Sequence, residues 1–367
     1  SLPTNRFYNE VEWLEIGVPE NAVMEPLPRR QEKPIVVYGT SIAQGACASR
    51  PGMAWTSILE RKLERPLINL AFSGNGRMEE EVINFITELD AKIFVLDCLP
   101  NLSATKDRSL EDVRQLIMSG VKQIRTKHPT TPILLVEHGG YSDGAVDADR
   151  YKTSMDLNRI VKEAFGQLKS DGLRDIHLLT KAELNLSMES FVDGTHPTDL
   201  GMMEYAVAYE KALREILKEP IGSVSTTIPV TQAREPELYP WEGRHQELLR
   251  MNRDSAPKIC FFGNSITHYW GGSPKAILSS GADSWKANLD ELEVRNFGFG
   301  WDRVENVLWR IYHDELDGFE AEQIVLMIGT NNEHLNTEEE ILSGLEMVIN
   351  AIKERQPKAR LLLLGLF

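Results

Sequence analysis

Three residues of this 367-residue chain are of the types that together activate a hydroxyl: Ser41, Asp193 and His196. A serine hydroxyl is a poor nucleophile until a base takes its proton. His196 is the candidate base. Asp193, three residues earlier, can accept from the far ring nitrogen, which fixes the tautomer and stabilises the imidazolium. The run Asp193-Gly194-Thr195-His196-Pro197, just before a predicted helix, can present both side chains to one side. Acyl transfer also needs donors aimed at the charge that develops on the carbonyl oxygen. The Ser41 backbone N–H is one such donor. Gly74 offers another backbone N–H with no side chain in the way, and Asn101 offers a side-chain amide. Each has a plainer reading: Ser41 as a helix cap, Gly74 as a backbone requirement, His196 as a loop histidine. His138 and Arg50, near the same edge, read as local structure or substrate contacts. A phosphate-binding loop over Gly39–Gly45 is a rival reading that the serine–histidine pairing disfavours.

The elements that must hold these residues are strands. Ser41 ends the run Ile35-Val36-Val37-Tyr38-Gly39-Thr40-Ser41, Gly74 follows Ile68-Asn69-Leu70-Ala71, and Asn101 follows Ile93-Phe94-Val95-Leu96. The pattern predicts strands at 35–38, 67–70, 92–97, 132–137 and 175–179. Helices are predicted near 53–64, 78–89, 109–127, 149–168 and 198–217. Strands alternating with helices imply a parallel sheet covered on both faces, and consecutive aliphatics fit burial on two sides. Ligand sites in such sheets gather at the carboxyl ends of the strands, where all the candidates fall.

The chain then repeats itself. Ile259-Cys260-Phe261-Phe262-Gly263-Asn264-Ser265 echoes the first block, Val294 to Gly300 the second, and Ile324-Val325-Leu326-Met327 leading to Asn331 the third. Strands are predicted near 259–263, 292–296, 323–328 and 360–365. A period of this length means duplicated domains rather than a solenoid. Ser265, Trp301 and Asn331 are the corresponding candidates. In the first copy the histidine lies far beyond the asparagine, so its equivalent in the second would fall past Phe367. His268 and His334 are poor substitutes. The expectation is a truncated second unit, with a half-domain serving packing or binding as the alternative.

The ordered blocks resemble the SGNH, or GDSL-type, hydrolase superfamily of esterases and lipases over about residues 34–218. The resemblance implies a flavodoxin-like three-layer α/β/α sandwich, duplicated here, with neither cofactor nor metal. It implies Ser41 as nucleophile, Gly74 and Asn101 as oxyanion donors, and Asp193 with His196 as the catalytic pair. Two blocks depart from the family pattern: Gly-Thr-Ser stands for Gly-Asp-Ser, and Leu99-Pro100-Asn101-Leu102 for Gly-x-Asn-Asp. The second copy resembles the branch with platelet-activating-factor acetylhydrolase-type and carbohydrate acetylesterase members, but Trp301 stands where that branch has its oxyanion glycine. The implied function is a serine esterase acting on short-chain, acetyl esters of small molecules or carbohydrates. Lysophospholipase, thioesterase and a non-catalytic carbohydrate- or partner-binding protein are the alternatives.

Composition narrows the partners. The chain is 42% hydrophobic and 26% charged, with a formal charge of −15 from 55 acidic and 40 basic side chains. So acidic a surface disfavours nucleic acid and anionic lipid. No apolar run is long enough to span a membrane. The three cysteines, at unrelated spacings, read as free and mostly buried thiols; Cys47 and Cys98 both follow strand ends in the first copy, a placement that would let them lie close together. Residues 1–33, with the strand-like Val11–Ile16 and prolines at 19, 26 and 28, read as the tail of an upstream element plus a linker. Residues 219–256 read as an inter-domain connector, and 257–367 as the second domain. The chain starts at Ser1 without a methionine and shows no signal segment. It is expected to begin inside a longer protein, periplasmic or secreted if a signal precedes it.

Overall fold

The aliphatic runs form strands in the computed structural model, which describes residues 12–24 and 29–365. In the first unit these are β1 (Ile35–Gly39), β2 (Leu67–Ala71), β3 (Ile93–Asp97), β4 (Ile133–Val136) and β5 (Ile176–Leu179). They pair in parallel in the order β2-β1-β3-β4-β5. Alternate residues of each strand face opposite ways, and both faces are buried. Val36, Tyr38, Phe94 and Leu96 pack against Leu110–Lys127 and Ala148–Ser170. Ile35, Val37, Ile93 and Val95 pack against Trp55–Leu63 and Asp199–Leu217. The result is the expected α/β/α sandwich.

The second unit repeats the start of that plan. Its strands are β6 (Ile259–Gly263), β7 (Val294–Gly298), β8 (Gln323–Met327) and β9 (Arg360–Leu363), parallel in the order β7-β6-β8-β9. The registers correspond: Gly39 pairs with Ala71 and Asp97, and Gly263 with Gly298 and Met327. The helix after the third strand begins with a capping box in both units, from Ser109 and Asp112 in one and Thr337 and Glu340 in the other.

Two stretches differ from the sequence reading. Residues 12–16 form no strand, and Trp13 is 73% exposed; β-propensity without a partner strand gives no ladder. Val11, Pro26 and Pro28 lie outside the described residues. Residues 219–256 are more than a connector, because the chain divides at Leu217/Lys218 and the second unit takes in Arg29–Glu32 and Lys218 onward. The helix Trp241–Asp254 buries Trp241 and Leu248 in the second core. Its His245 lies in a network with no exposed side chain. His245 Nδ1 is 2.8 Å from Glu315, Arg310 contacts Glu315 at 2.6 Å and Asp302 at 2.9 Å, and Trp241 Nε1 donates to Asp302. Glu32, from the short N-terminal piece, lies 3.8 Å from His245 Nε2, an ion pair too long for a hydrogen bond.

Candidate active site

At the carboxyl end of β1 the chain turns straight into the short helix Ser41–Gln44. Thr40 holds the cap position, so the Ser41 hydroxyl is not used in capping. Ser41 Oγ lies 2.9 Å from His196 Nε2, and His196 Nδ1 lies 2.7 Å from Asp193 Oδ2. Asp193 Oδ1 accepts the backbone N–H groups of Thr195 (2.9 Å) and His196 (2.7 Å), which folds Asp193–His196 into a tight turn. The turn is braced from outside. The Gly194 carbonyl accepts from Ser142 N, and Arg150 bridges Thr195 and Asp143.

The electrostatics suit a base at Nε2. Burial raises the Asp193 carboxyl, but the hydrogen bonds from the two backbone N–H groups and the His196 ring outweigh it and hold the carboxyl down at about 2. A carboxylate beside Nδ1 selects the tautomer with the proton on that nitrogen, leaving the Nε2 lone pair facing Ser41.

The two oxyanion candidates lie in one neighbourhood. The loop after β2 docks on the first block: Phe72 N donates to the Gly39 carbonyl, and Ser73 N donates to Gln44 Oε1 at 2.8 Å. Gly74 is exposed, with φ +69° and open space where a Cβ would stand. Asn101 Nδ2 donates to the Asn75 carbonyl at 2.5 Å, which ties the third block to this loop. An amide nitrogen carries two hydrogens, so one donor of Asn101 remains.

His138 belongs to a different environment. It is buried, its Nδ1 accepts from Gly140 N, and burial, then Lys181 and Arg150, push its pKa down to about 3. It is a structural histidine. Arg50 is exposed and contacts Ser49.

The sequence reading missed Cys47. Its thiol is exposed and lies with Asp193 and His196 in one cluster whose ligating atoms are all within 4.8 Å of one another. Burial and then the Asp193 charge raise the thiol above its usual range, which disfavours the thiolate. Cys98 and Cys260 are free and buried. The tether that sets the Cys47 loop was also missed: Asp199 accepts from both the backbone and the hydroxyl of Ser49. Positions 150 residues apart leave no local signal of such a pair.

In the second unit Ser265 opens the helix Ser265–Trp270 at the corresponding place. Asn331 Nδ2 donates to the Asp302 carbonyl. Trp301 has φ +64°, and its indole donates to Glu235 at 2.8 Å. A cavity of about 500 Å³ beside Ser265 is lined by Tyr239, Tyr269 and Trp270 among others. His268 is no base for it. Its Nδ1 accepts from Gly300 N, and burial, then Arg244 and Arg310, lower its pKa to about 3. His334 is exposed. Among the described residues no helix is long and apolar enough to cross a membrane.

Residues 32–214 match a family model described as the GDSL-like Lipase/Acylhydrolase family, and residues 261–367 match a second model of the same description. Platelet-activating factor acetylhydrolase IB subunit alpha2 of Rattus norvegicus is 33% identical over 126 residues, 34% of this chain and 51% of that protein. Subunit alpha1 of Homo sapiens is 31% identical over 126 residues, 34% of this chain and 50% of that protein. The chain thus spans about half the length of the curated relatives it matches. A crystallised Bacteroides ovatus protein assigned as a GDSL-like lipase is similar with a TM-score of 0.51 and 34% identity, over 55% of this chain and 58% of that one.

Proposed function

Because the chain belongs to the GDSL-like lipase/acylhydrolase family, we propose that its first unit hydrolyses carboxylic esters through an acyl-enzyme formed on Ser41. The observation that carries this is the continuous contact from Ser41 Oγ through the His196 ring to Asp193. Ser41 attacks the ester carbonyl while His196 Nε2 takes its proton. The same nitrogen then returns the proton to the leaving alcohol, and water repeats the sequence on the acyl-enzyme. Asp193 holds the ring and balances the imidazolium charge. The N–H groups of Ser41 and Gly74 and the remaining amide hydrogen of Asn101 meet the oxyanion.

The proposed acyl group is short, acetyl in the first instance. Support comes from the acetylhydrolase relatives, which match only part of this chain. The proposed alcohol is a carbohydrate hydroxyl. For the second unit a binding role is the reading favoured by one observation: aromatic side chains line the cavity beside Ser265. The test is hydrolysis of nitrophenyl acetate. Ser41→Ala is expected to lower kcat by about 1,000-fold or more, and longer acyl chains to react more slowly. Full activity in that variant would overturn the reading.

A further inference from the structure

Cys47, Asp193 and His196 are a thiol, a carboxylate and an imidazole gathered at one point, the three ligand types that zinc takes most readily. We propose that this cluster is an inhibitory site for a thiophilic divalent cation, Zn2+ above all, which switches the first unit off by capturing the base that Ser41 needs. The proposal rests on the reading of His196 as that base.

The geometry is close to what a tetrahedral ion needs. Zinc bonds of about 2.0–2.3 Å place neighbouring ligand atoms roughly 3.3–3.8 Å apart. The cluster's atoms are within 4.8 Å of one another, and the Asp193–His196 contact is 2.7 Å. Binding therefore asks the carboxylate and ring to part by well under 1 Å and the thiol to swing in by at most about 1 Å. The thiol can do this because it is exposed, on a loop whose far side is fixed by Ser49 to Asp199. With three protein ligands the fourth position is left to water.

The chemistry of the shutdown follows from proton positions. In the active form the ring proton is on Nδ1, shared with Asp193, and the Nε2 lone pair faces Ser41. A cation held beside Asp193 bonds at Nδ1, so the ring proton moves to Nε2. The Cys47 thiol proton leaves to solvent, and no electrons change hands. Nε2 is then a donor toward Ser41 Oγ and can no longer accept its proton. Asp193 has become a metal ligand, and the pair that stabilised the imidazolium no longer exists. The substrate pocket need not be blocked for hydrolysis to stop.

Cys47 is what makes the site selective. An Asp–His pair is common to serine hydrolases, but two such ligands hold zinc weakly. Neither of the other cysteines stands in such a cluster among the described residues.

The experiment has two arms on the full chain. In the first, binding is read without substrate: Zn2+ by competition with a chromophoric chelator, and Co2+ by its thiolate charge-transfer absorption. One ion per chain is expected, with loss of the cobalt band and at least about a tenfold fall in zinc affinity in Cys47→Ser and Cys47→Ala. In the second, ester hydrolysis is titrated with Zn2+, each protein normalised to its own rate in chelator. The wild-type chain is expected to be inhibited and restored by chelator, with the half-inhibiting concentration raised about tenfold or more in both variants. Mg2+, which prefers oxygen ligands, is expected to have no effect. Equal zinc sensitivity with and without the thiol, or no cobalt–thiolate band, would overturn the site. Absence of hydrolysis in the metal-free wild type would instead overturn the esterase reading, while the binding arm still judges the cluster.

Discussion

Asp193 divides its two oxygens between tasks, Oδ1 holding the turn and Oδ2 holding the ring. Asp193→Asn separates them. The amide oxygen can still accept from the turn, but its NH2 cannot accept from Nδ1 and favours the tautomer with the proton on Nε2. The expected result is a fall in kcat of about 1,000- to 10,000-fold with little change in KM, measured on nitrophenyl acetate. Its carboxyl is held at about 2, so the native partner stays charged as pH falls and loses its charge only as pH approaches that value. At this scale the sequence was informative where the chemistry is local. Asp193 and His196 sit in one turn, and the strand-end serine and asparagine carry their own block signals. It gave Cys47 no part in the site, since that place depends on the distant Ser49–Asp199 contact, and it named Gly74 without seeing the separate packing duty of Gly76.

That last distinction belongs to the loop after β2. Both glycines have positive φ, +69° at Gly74 and +68° at Gly76. A Cβ on Gly76 would stand 2.1 Å from the Gly39 carbonyl oxygen, at the end of β1, whereas one on Gly74 would meet nothing within 4 Å. Gly76→Ala is therefore expected to destabilise the first unit by roughly 2–4 kcal/mol, and Gly74→Ala by about 1 kcal/mol. Urea unfolding curves of the two variants check this. The close approach of Gly76 keeps the loop pressed on the strand end that delivers Ser41. Strands and helices were legible because burial on both sheet faces leaves runs of aliphatics that alternate with helical stretches. The 12–16 stretch misled because its composition suits a strand that no neighbour pairs with. The helix Trp241–Asp254 was read only as part of a connector because its mean hydropathy is low and its buried partners lie in a later part of the chain.

At the scale of the whole molecule the two units differ in what pH does to them. Burial lowers the pKa of His245, but the hydrogen bond to Glu315 and the charges of Glu315 and Glu32 outweigh it and raise the pKa to about 9. A histidine raised in the folded state stabilises fully below its ordinary value of about 6.5 and loses that contribution as pH rises through about 9. The second unit should weaken over that window by on the order of 3 kcal/mol. Asp302, raised by burial against the pull of Arg310 to about 7, adds a loss in the same direction at lower pH. Five of the seven tryptophans, at 241, 270, 285, 301 and 309, lie in the second unit. Tryptophan fluorescence should therefore show the urea midpoint falling between about pH 6.5 and pH 9.5. His245→Gln should lower and flatten that dependence. The matching registers of β1 and β6 have a practical consequence of another kind. One polypeptide presents two serines at equivalent strand ends, one facing an imidazole and one with no such partner among the described residues, so a single fluorophosphonate digest read by mass carries its own internal standard. The ratio of the two modified peptides compares the reactivity of the two sites, free of any difference in concentration, preparation or handling.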